Sequence, residues 1–202
     1  MLFRSFEPNP RTYQLLHLNT EGHSNIQAYH CALSDTPGTA TLAIFDNNIG
    51  ASRIARQADD GDRQQNVEVK TVDAVTDGES DRVGLIKIDV EGHEHAVLKG
   101  AGRLIQRDRP VILFEQSRTD FVNGVSPVIE LLKQYGYSRF ASVMPAPYMP
   151  AWIPAFARGV VTAVCRLIAG YSFVVREHDT IAPNFYTFLV AIPDVTTVQS
   201  QP

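Results

Sequence analysis

The stretch Gly84-Leu85-Ile86-Lys87-Ile88-Asp89-Val90-Glu91-Gly92-His93-Glu94 decides the fold of this 202-residue chain. Residues 84–90 are rich in Ile, Leu and Val and lie between turn residues, the pattern of a strand buried on both faces. Two carboxylates, Asp89 and Glu91, end the run, and Gly92 permits a tight exit into a helix. Val97, Leu98, Ala101, Leu104 and Ile105 then recur at helical spacing. Arg107-Asp108-Arg109-Pro110 stops that helix, and residues 111–114 read as the next buried strand.

The same alternation extends both ways. Residues 2–6 read as a short strand, with Asn9 as N-cap and Pro10 opening a helix that carries Tyr13, Leu15, Leu16 and Leu18. Residues 26–32 and 39–44 read as strands around the turn Asp35-Thr36-Pro37-Gly38. Residues 47–65 are polar and read as a surface loop. Val67, Val69 and Thr71 alternate with polar residues, which predicts a half-buried strand over 66–72. Further on, Ser126, Pro127 and Gly136 delimit a helix with Val128, Ile129, Leu131, Leu132 and Tyr135 on its apolar side. A strand over 138–143, a proline-rich stretch, an apolar helix candidate over 156–169 and a final strand over 185–192 complete the chain. This order predicts one α/β domain over residues 1–202, a sandwich with a mostly parallel sheet. Residues 140–184 read as a variable insertion. Trp152 and its prolines suit a lid or an acceptor or lipid contact there, and suit a core or oligomer contact equally.

Composition narrows the function classes. Net charge is −4 and the pI about 5.8, with Lys and Arg scattered, so no nucleic-acid partner is expected. Cys31 and Cys165 lie far apart among apolar neighbours and read as reduced core residues. The N-terminus has no apolar run of signal-peptide length. Prolines interrupt residues 140–157, and Arg166 and Gly170 interrupt 159–175, so no transmembrane segment is expected. A cytoplasmic protein is the default, and a homo-oligomer stays open.

Ligands of such sheets bind beyond the carboxyl ends of the strands. Glu7 stands there, and a carboxylate offers two coplanar oxygens to a ribose diol; an acid resting on the following helix dipole explains it equally well. Asp89 and Glu91 end the central strand, where neighbouring carboxylates raise one another's pKa and one can serve as general base. Capping of the next helix is the plainer alternative. Glu115 follows the strand at 111–114 and faces the same mouth. Lys87 points away from Ile86 and Ile88, as a snorkelling lysine would. No metal ligand set is assigned: His93 and His95 lie on nearly opposite helix faces, although Asp89 and Glu91 with one histidine would suit Mg or Mn. His17 and His95 read as ordinary surface histidines.

These residues together resemble the FkbM family of class I S-adenosylmethionine-dependent methyltransferases. The segment from Lys87 to Glu94, followed by Val97-Leu98-Lys99-Gly100-Ala101, is similar to the family's hallmark. Phe6-Glu7-Pro8-Asn9-Pro10 is similar to its second motif, and Ala32-Leu33-Ser34-Asp35 with Gly38 to its third strand and turn. Gly50-Ala51-Ser52, Thr71-Val72-Asp73 and Glu115 fall where the family has like elements. The resemblance runs in order from Phe6 to Glu115 and fades beyond Gly136. It implies a Rossmann-like sandwich, S-adenosylmethionine as cofactor, and O-methylation of a hydroxyl on a sugar, glycolipid or polyketide-like acceptor. It implies cofactor contacts from Glu7 at the ribose, from Ser34 and Asp35 near the adenine, from Asp89 near the sulfonium methyl, and from Asn9. Asp89, Glu91, His93 and Glu115 then form the catalytic set.

The family's first strand and its acidic, glycine-rich loop have no counterpart here, since six residues precede Glu7. The expectation is an N-terminally truncated fold with weak or absent cofactor binding by these 202 residues. A late start codon, a fragment or decayed copy, or a second chain completing the sheet would each account for it. A non-catalytic scaffold domain is therefore the rival function. An NAD-dependent oxidoreductase ranks lower, because no Tyr-x-x-x-Lys pair accompanies Glu7.

Overall fold

The computed structural model describes residues 1–55, 61–146 and 172–194. Its first unit is β1 (Phe3–Phe6), α1 (Pro10–Thr20) and β2 (Ile26–Tyr29), with β1 and β2 parallel and Phe6 beside Tyr29. Asn9 caps α1 as expected: its side-chain oxygen accepts the Arg11 N–H at 3.0 Å, and Pro10 takes the first turn, where a missing N–H costs nothing.

The strand expected over 26–32 divides. Ala32 and Leu33 form β3 (Ala32–Leu33), which pairs in parallel with Val69 and Lys70 of a different sheet. That four-stranded sheet runs β3-β6-β4-β5, with β4 (Gly38–Ile44), β5 (Arg53–Ile54) and β6 (Arg63–Lys70). Ala32, Leu42, Ile44, Val67 and Val69 form its own small core. The polar segment 47–65 thus supplies β5 and the start of β6. Arg63, Gln64 and Gln65 pair their main chain with Ile44, Ala43 and Leu42, and their side chains stay exposed. Antiparallel ladders need only the backbone, so side-chain polarity hides them. Thr71 lies outside β6. It caps α2 (Val72–Val75), its hydroxyl accepting the Ala74 N–H at 3.1 Å.

The third sheet runs β10-β9-β11-β8-β7, with β7 (Leu85–Ile88), β8 (Val111–Gln116), β9 (Arg139–Ala146), β10 (Ser172–His178) and β11 (Tyr186–Ile192). Only β7 and β8 are parallel in it, joined over α3 (Glu94–Lys99) and α4 (Gly102–Asp108). The other pairs are antiparallel, so the sheets are mixed rather than mostly parallel. The cause is β11. It enters between β8 and β9 running against both, and Ala191 faces Ile112 on one side and Phe140 on the other. Antiparallel ladders are slightly more stable per residue, and they need no crossover helix.

Two more expectations are corrected. β7 is not buried on both faces: Ile88 is buried, but Lys87 is exposed and Leu85 is 60% exposed. Among the described residues β7 hydrogen-bonds to β8 alone, so it forms the edge of its sheet. The helix expected through Ile105 breaks at Gly100 and Ala101 into α3 and α4. Its apolar stripe still enters one core, where Leu98, Ile105, Ile112, Phe114, Leu132 and Leu189 are fully buried. A core leucine or phenylalanine of this kind contributes about 1.5–3 kcal/mol by burial.

α5 (Pro127–Gln134) follows its signals: Ser126 Oγ accepts the Ile129 N–H, and Gly136 turns out at φ 82°. Arg109, itself at φ 54°, donates to the Tyr135 and Gly136 carbonyls and ties α4 to the end of α5. No helix among the described residues is long and apolar enough to cross a membrane. Cys31 is buried as expected. The proline-rich stretch with Trp152, the helix candidate over 156–169 and Cys165 lie outside the described residues.

Candidate functional site

The register of β7 and β8 builds the site. Ile88 sits beside Phe114, so the next residues along each parallel strand, Asp89 and Glu115, are brought to the same end. Glu115 still belongs to β8, one correction to its expected place just after the strand. Along β8, Ile112, Phe114 and Gln116 face the core and Val111, Leu113 and Glu115 face the other way. Beyond β7 the chain turns through Glu91 at φ 52° and Gly92 at φ 89°. The result is that carboxylate oxygens of Asp89, Glu91 and Glu115 lie within 4.8 Å of one another.

This crowding has an electrostatic consequence. Burial, then the charges of Glu91 and Asp89, push the Glu115 carboxyl up to about 7. Like charges this close cannot all ionise freely, and a carboxyl poised near neutrality is suited to take a proton. Lys87 Nζ lies 2.8 Å from Asp89 Oδ2 and sits over the Phe188 ring, so it touches the cluster's edge rather than simply reaching for solvent. Three oxygen donors at this spacing match what Mg or Mn would take. Spacing alone does not select an ion, and no metal ligand is assigned.

The second group gathers at the end of β3. Ser34 Oγ lies 2.9 Å from His93 Nε2 and 3.3 Å from Asp35 Oδ1, and Lys99 Nζ is 3.1 Å from Asp35 Oδ2. The Lys99 hydrogen bond holds the Asp35 carboxyl below the usual range. His93, which follows the acids of the β7 loop, thus turns its Nε2 to Ser34. Gly100 makes this packing feasible: a Cβ there would lie 2.0 Å from the Ser34 carbonyl oxygen.

Glu7 and Asn9 form the third group, beyond β1. Glu7 Oε1 accepts the Asn9 N–H at 2.7 Å, and burial pushes the Glu7 carboxyl up. Asn9 is 2% exposed, with its oxygen capping α1 and its amide donating to Ser52 Oγ at 3.1 Å. Its side chain thus ties the start of α1 to Ser52, while its main-chain N–H holds Glu7.

Sequence reasoning missed two supports of the acidic group. Glu94 is 4% exposed and accepts main-chain N–H bonds from Gly92 and Val90. Gln116, fully buried, accepts from Ser126 Oγ at 2.5 Å and donates to Asp120 Oδ2 at 3.1 Å, bracing the end of β8. An acid in the first turn of a helix looks like an ordinary dipole partner, which conceals Glu94. For Gln116 the only signal was its place in the alternation of β8.

The family model described as the methyltransferase FkbM domain matches residues 2–139. Methyltransferase sdnD of Sordaria araneosa is similar at 31% identity over a 169-residue alignment covering 66% of this chain and 63% of that protein. Methyltransferase FkbM from Methylobacillus flagellatus KT, known from a crystal structure, is similar at 18% identity, covering 93% of this chain and 36% of its own, with a TM-score of 0.42. The chain therefore spans less than two thirds of the length of either.

Proposed function

The chain belongs to the FkbM methyltransferase domain family, and from that premise we propose that it methylates a hydroxyl of a sugar, glycolipid or polyketide-like acceptor, with S-adenosylmethionine as donor. The convergence of Asp89, Glu91 and Glu115 at the ends of two parallel strands carries this proposal. A hydroxyl is a weak nucleophile until its proton is drawn off. Glu115, raised to about 7, accepts that proton near neutral pH. Asp89 and Glu91 orient the acceptor by accepting hydrogen bonds from its hydroxyls, and fixed orientation supplies much of the remaining acceleration. His93, anchored on Ser34, acts at the boundary between acceptor and cofactor.

The donor set fits the nucleoside end of the cofactor. Glu7 offers carboxylate acceptors at the end of β1 for a ribose diol, and Ser34 and Asp35 stand at the end of β3 for the adenine side. Asn9 supports Glu7 through its main-chain N–H. The cofactor, when bound, supplies an electrophilic methyl carbon. The parallel pairs β1–β2 and β7–β8 support a Rossmann-like class I arrangement, and we place the reaction in the cytoplasm.

Transfer of radiolabelled methyl from S-adenosylmethionine to hydroxylated sugars, glycolipids and polyketide-like alcohols tests the proposal. Glu115→Gln is expected to lose about 10²–10⁴-fold in kcat, with its unfolding transition retained. Wild-type rates from that variant would remove Glu115 from the chemistry. Failure of every hydroxyl acceptor under conditions where isothermal titration shows the wild-type protein binding S-adenosylmethionine would remove the activity.

A further inference from the structure

The four residues that leave β7 contain two left-handed positions in succession, Glu91 at φ 52° and Gly92 at φ 89°. Glycine adopts that conformation freely, but a glutamate does so only where the surroundings impose it. His93, the residue that caps α3, makes no side-chain capping bond. Glu94 does the work from inside the helix. It is 4% exposed, and its Oε1 accepts the Gly92 N–H at 3.1 Å and the Val90 N–H at 3.4 Å. A single carboxylate oxygen thereby closes the loop whose outer members are Asp89 and Glu91. Burial pushes the Glu94 carboxyl up, and Asp120 adds to this from the short turn after β8. The chain therefore keeps a buried acid where an apolar residue would suffer no desolvation.

We propose that Glu94 is the positioning residue of the acidic site: by binding the Val90 and Gly92 N–H groups it holds the Asp89 and Glu91 carboxylates toward Glu115. Glu94 touches neither acceptor nor cofactor in this role; it acts through the loop. The proposal rests on the reading of Asp89, Glu91 and Glu115 as the reacting mouth, but its test needs no methyl transfer.

The test follows the Glu115 carboxyl by carbon-13 NMR titration in the intact chain, in the wild type and three variants. Glu94→Gln keeps an acceptor oxygen at the same reach and removes only the Glu94 charge, a lesser cause of the raised Glu115 carboxyl than burial, Glu91 or Asp89, so Glu115 is expected to fall by no more than about half a unit. Glu94→Ala has no acceptor, and Glu94→Asp keeps the charge on a side chain one methylene shorter. In both, Glu115 is expected to fall by about one unit or more, a tenfold change in proton affinity. If Glu94→Ala does not fold, Glu94→Asp decides. Wild-type titration of Glu115 in the Asp and Ala variants overturns the proposal. An equal fall in the Gln and Ala variants also overturns it, since charge rather than grip would then be responsible. A wild-type Glu115 titrating as an ordinary carboxylate removes the cluster itself, and the proposed reaction mouth with it.

Discussion

Replacing Gly100 by alanine adds one methyl group where α3 meets the segment that carries Ser34. The new Cβ would lie 2.0 Å from the Ser34 carbonyl oxygen, 2.9 Å from its carbonyl carbon and 3.2 Å from the Asp35 Cα. Ordinary contact begins near 3.4 Å, so the two segments have to part by roughly an ångström. All three obstacles are main chain, and no side-chain rotation relieves them. Two further bonds resist the movement: Ser34 N–H donates to the Lys70 carbonyl at 3.0 Å, and Asp73 N–H donates to the Gly100 carbonyl at 2.9 Å. Gly100 has φ −71°, which alanine adopts without strain, so the whole effect comes from the clash. Overpacking costs about 1–3 kcal/mol, and a rigid obstacle places this case at about 2–3 kcal/mol. Urea unfolding measures it as a lowered midpoint at unchanged slope. Gly84→Ala is the control, with nothing within 4 Å of its Cβ; a change below about 0.5 kcal/mol is expected there. A Gly100→Ala protein as stable as the control would show that α3 and the Ser34 segment do not touch as described.

Two other outcomes follow from the same site. The Glu115 carboxyl lies above its unfolded value of 4.5 at about 7, so the protonated form favours the fold. Its contribution is full below pH 4.5, declines as pH rises and is lost above about 7; urea midpoints at pH 5 and pH 8 should therefore differ less in Glu115→Gln than in the wild type, and equal differences would contradict the raised value. Ser126→Ala removes the cap of α5 and strands the buried Gln116 oxygen, so it should destabilise the protein by about 1–3 kcal/mol in the same assay.

What was legible in the sequence was local. Asn9-Pro10 and Ser126-Pro127 name their helix starts because a cap and its N–H partner lie two or three residues apart. The acids at the ends of β7 and β8 were legible because parallel strands bring their ends together whatever the rest of the sheet does. Decisions taken at long range were not. Nothing within residues 26–32 says that Ala32 and Leu33 leave for β6, and nothing near residue 186 says that β11 runs against β8. The helical spacing of Leu98, Ala101 and Ile105 continues across the break at Gly100, so periodicity alone could not reveal it. The reason for that glycine lies in a Ser34 carbonyl far away in sequence. The contact of His93 with Ser34 was hidden for the same cause: the two are 59 residues apart. Lys87 read as a solvent-reaching side chain because Asp89, two residues on, becomes its partner only once the strand ends.

The pH dependence of kcat for methyl transfer, wild type against Glu115→Gln, bears most directly on the central claim that the carboxylate cluster draws the proton from the acceptor. The base must be ionised to act, so the wild-type rate should climb through a single ionisation near 7 and level off above it. In Glu115→Gln that step should vanish, leaving a low, flat profile. A wild-type rate that is flat across this range, or an unchanged step in the variant, would contradict it.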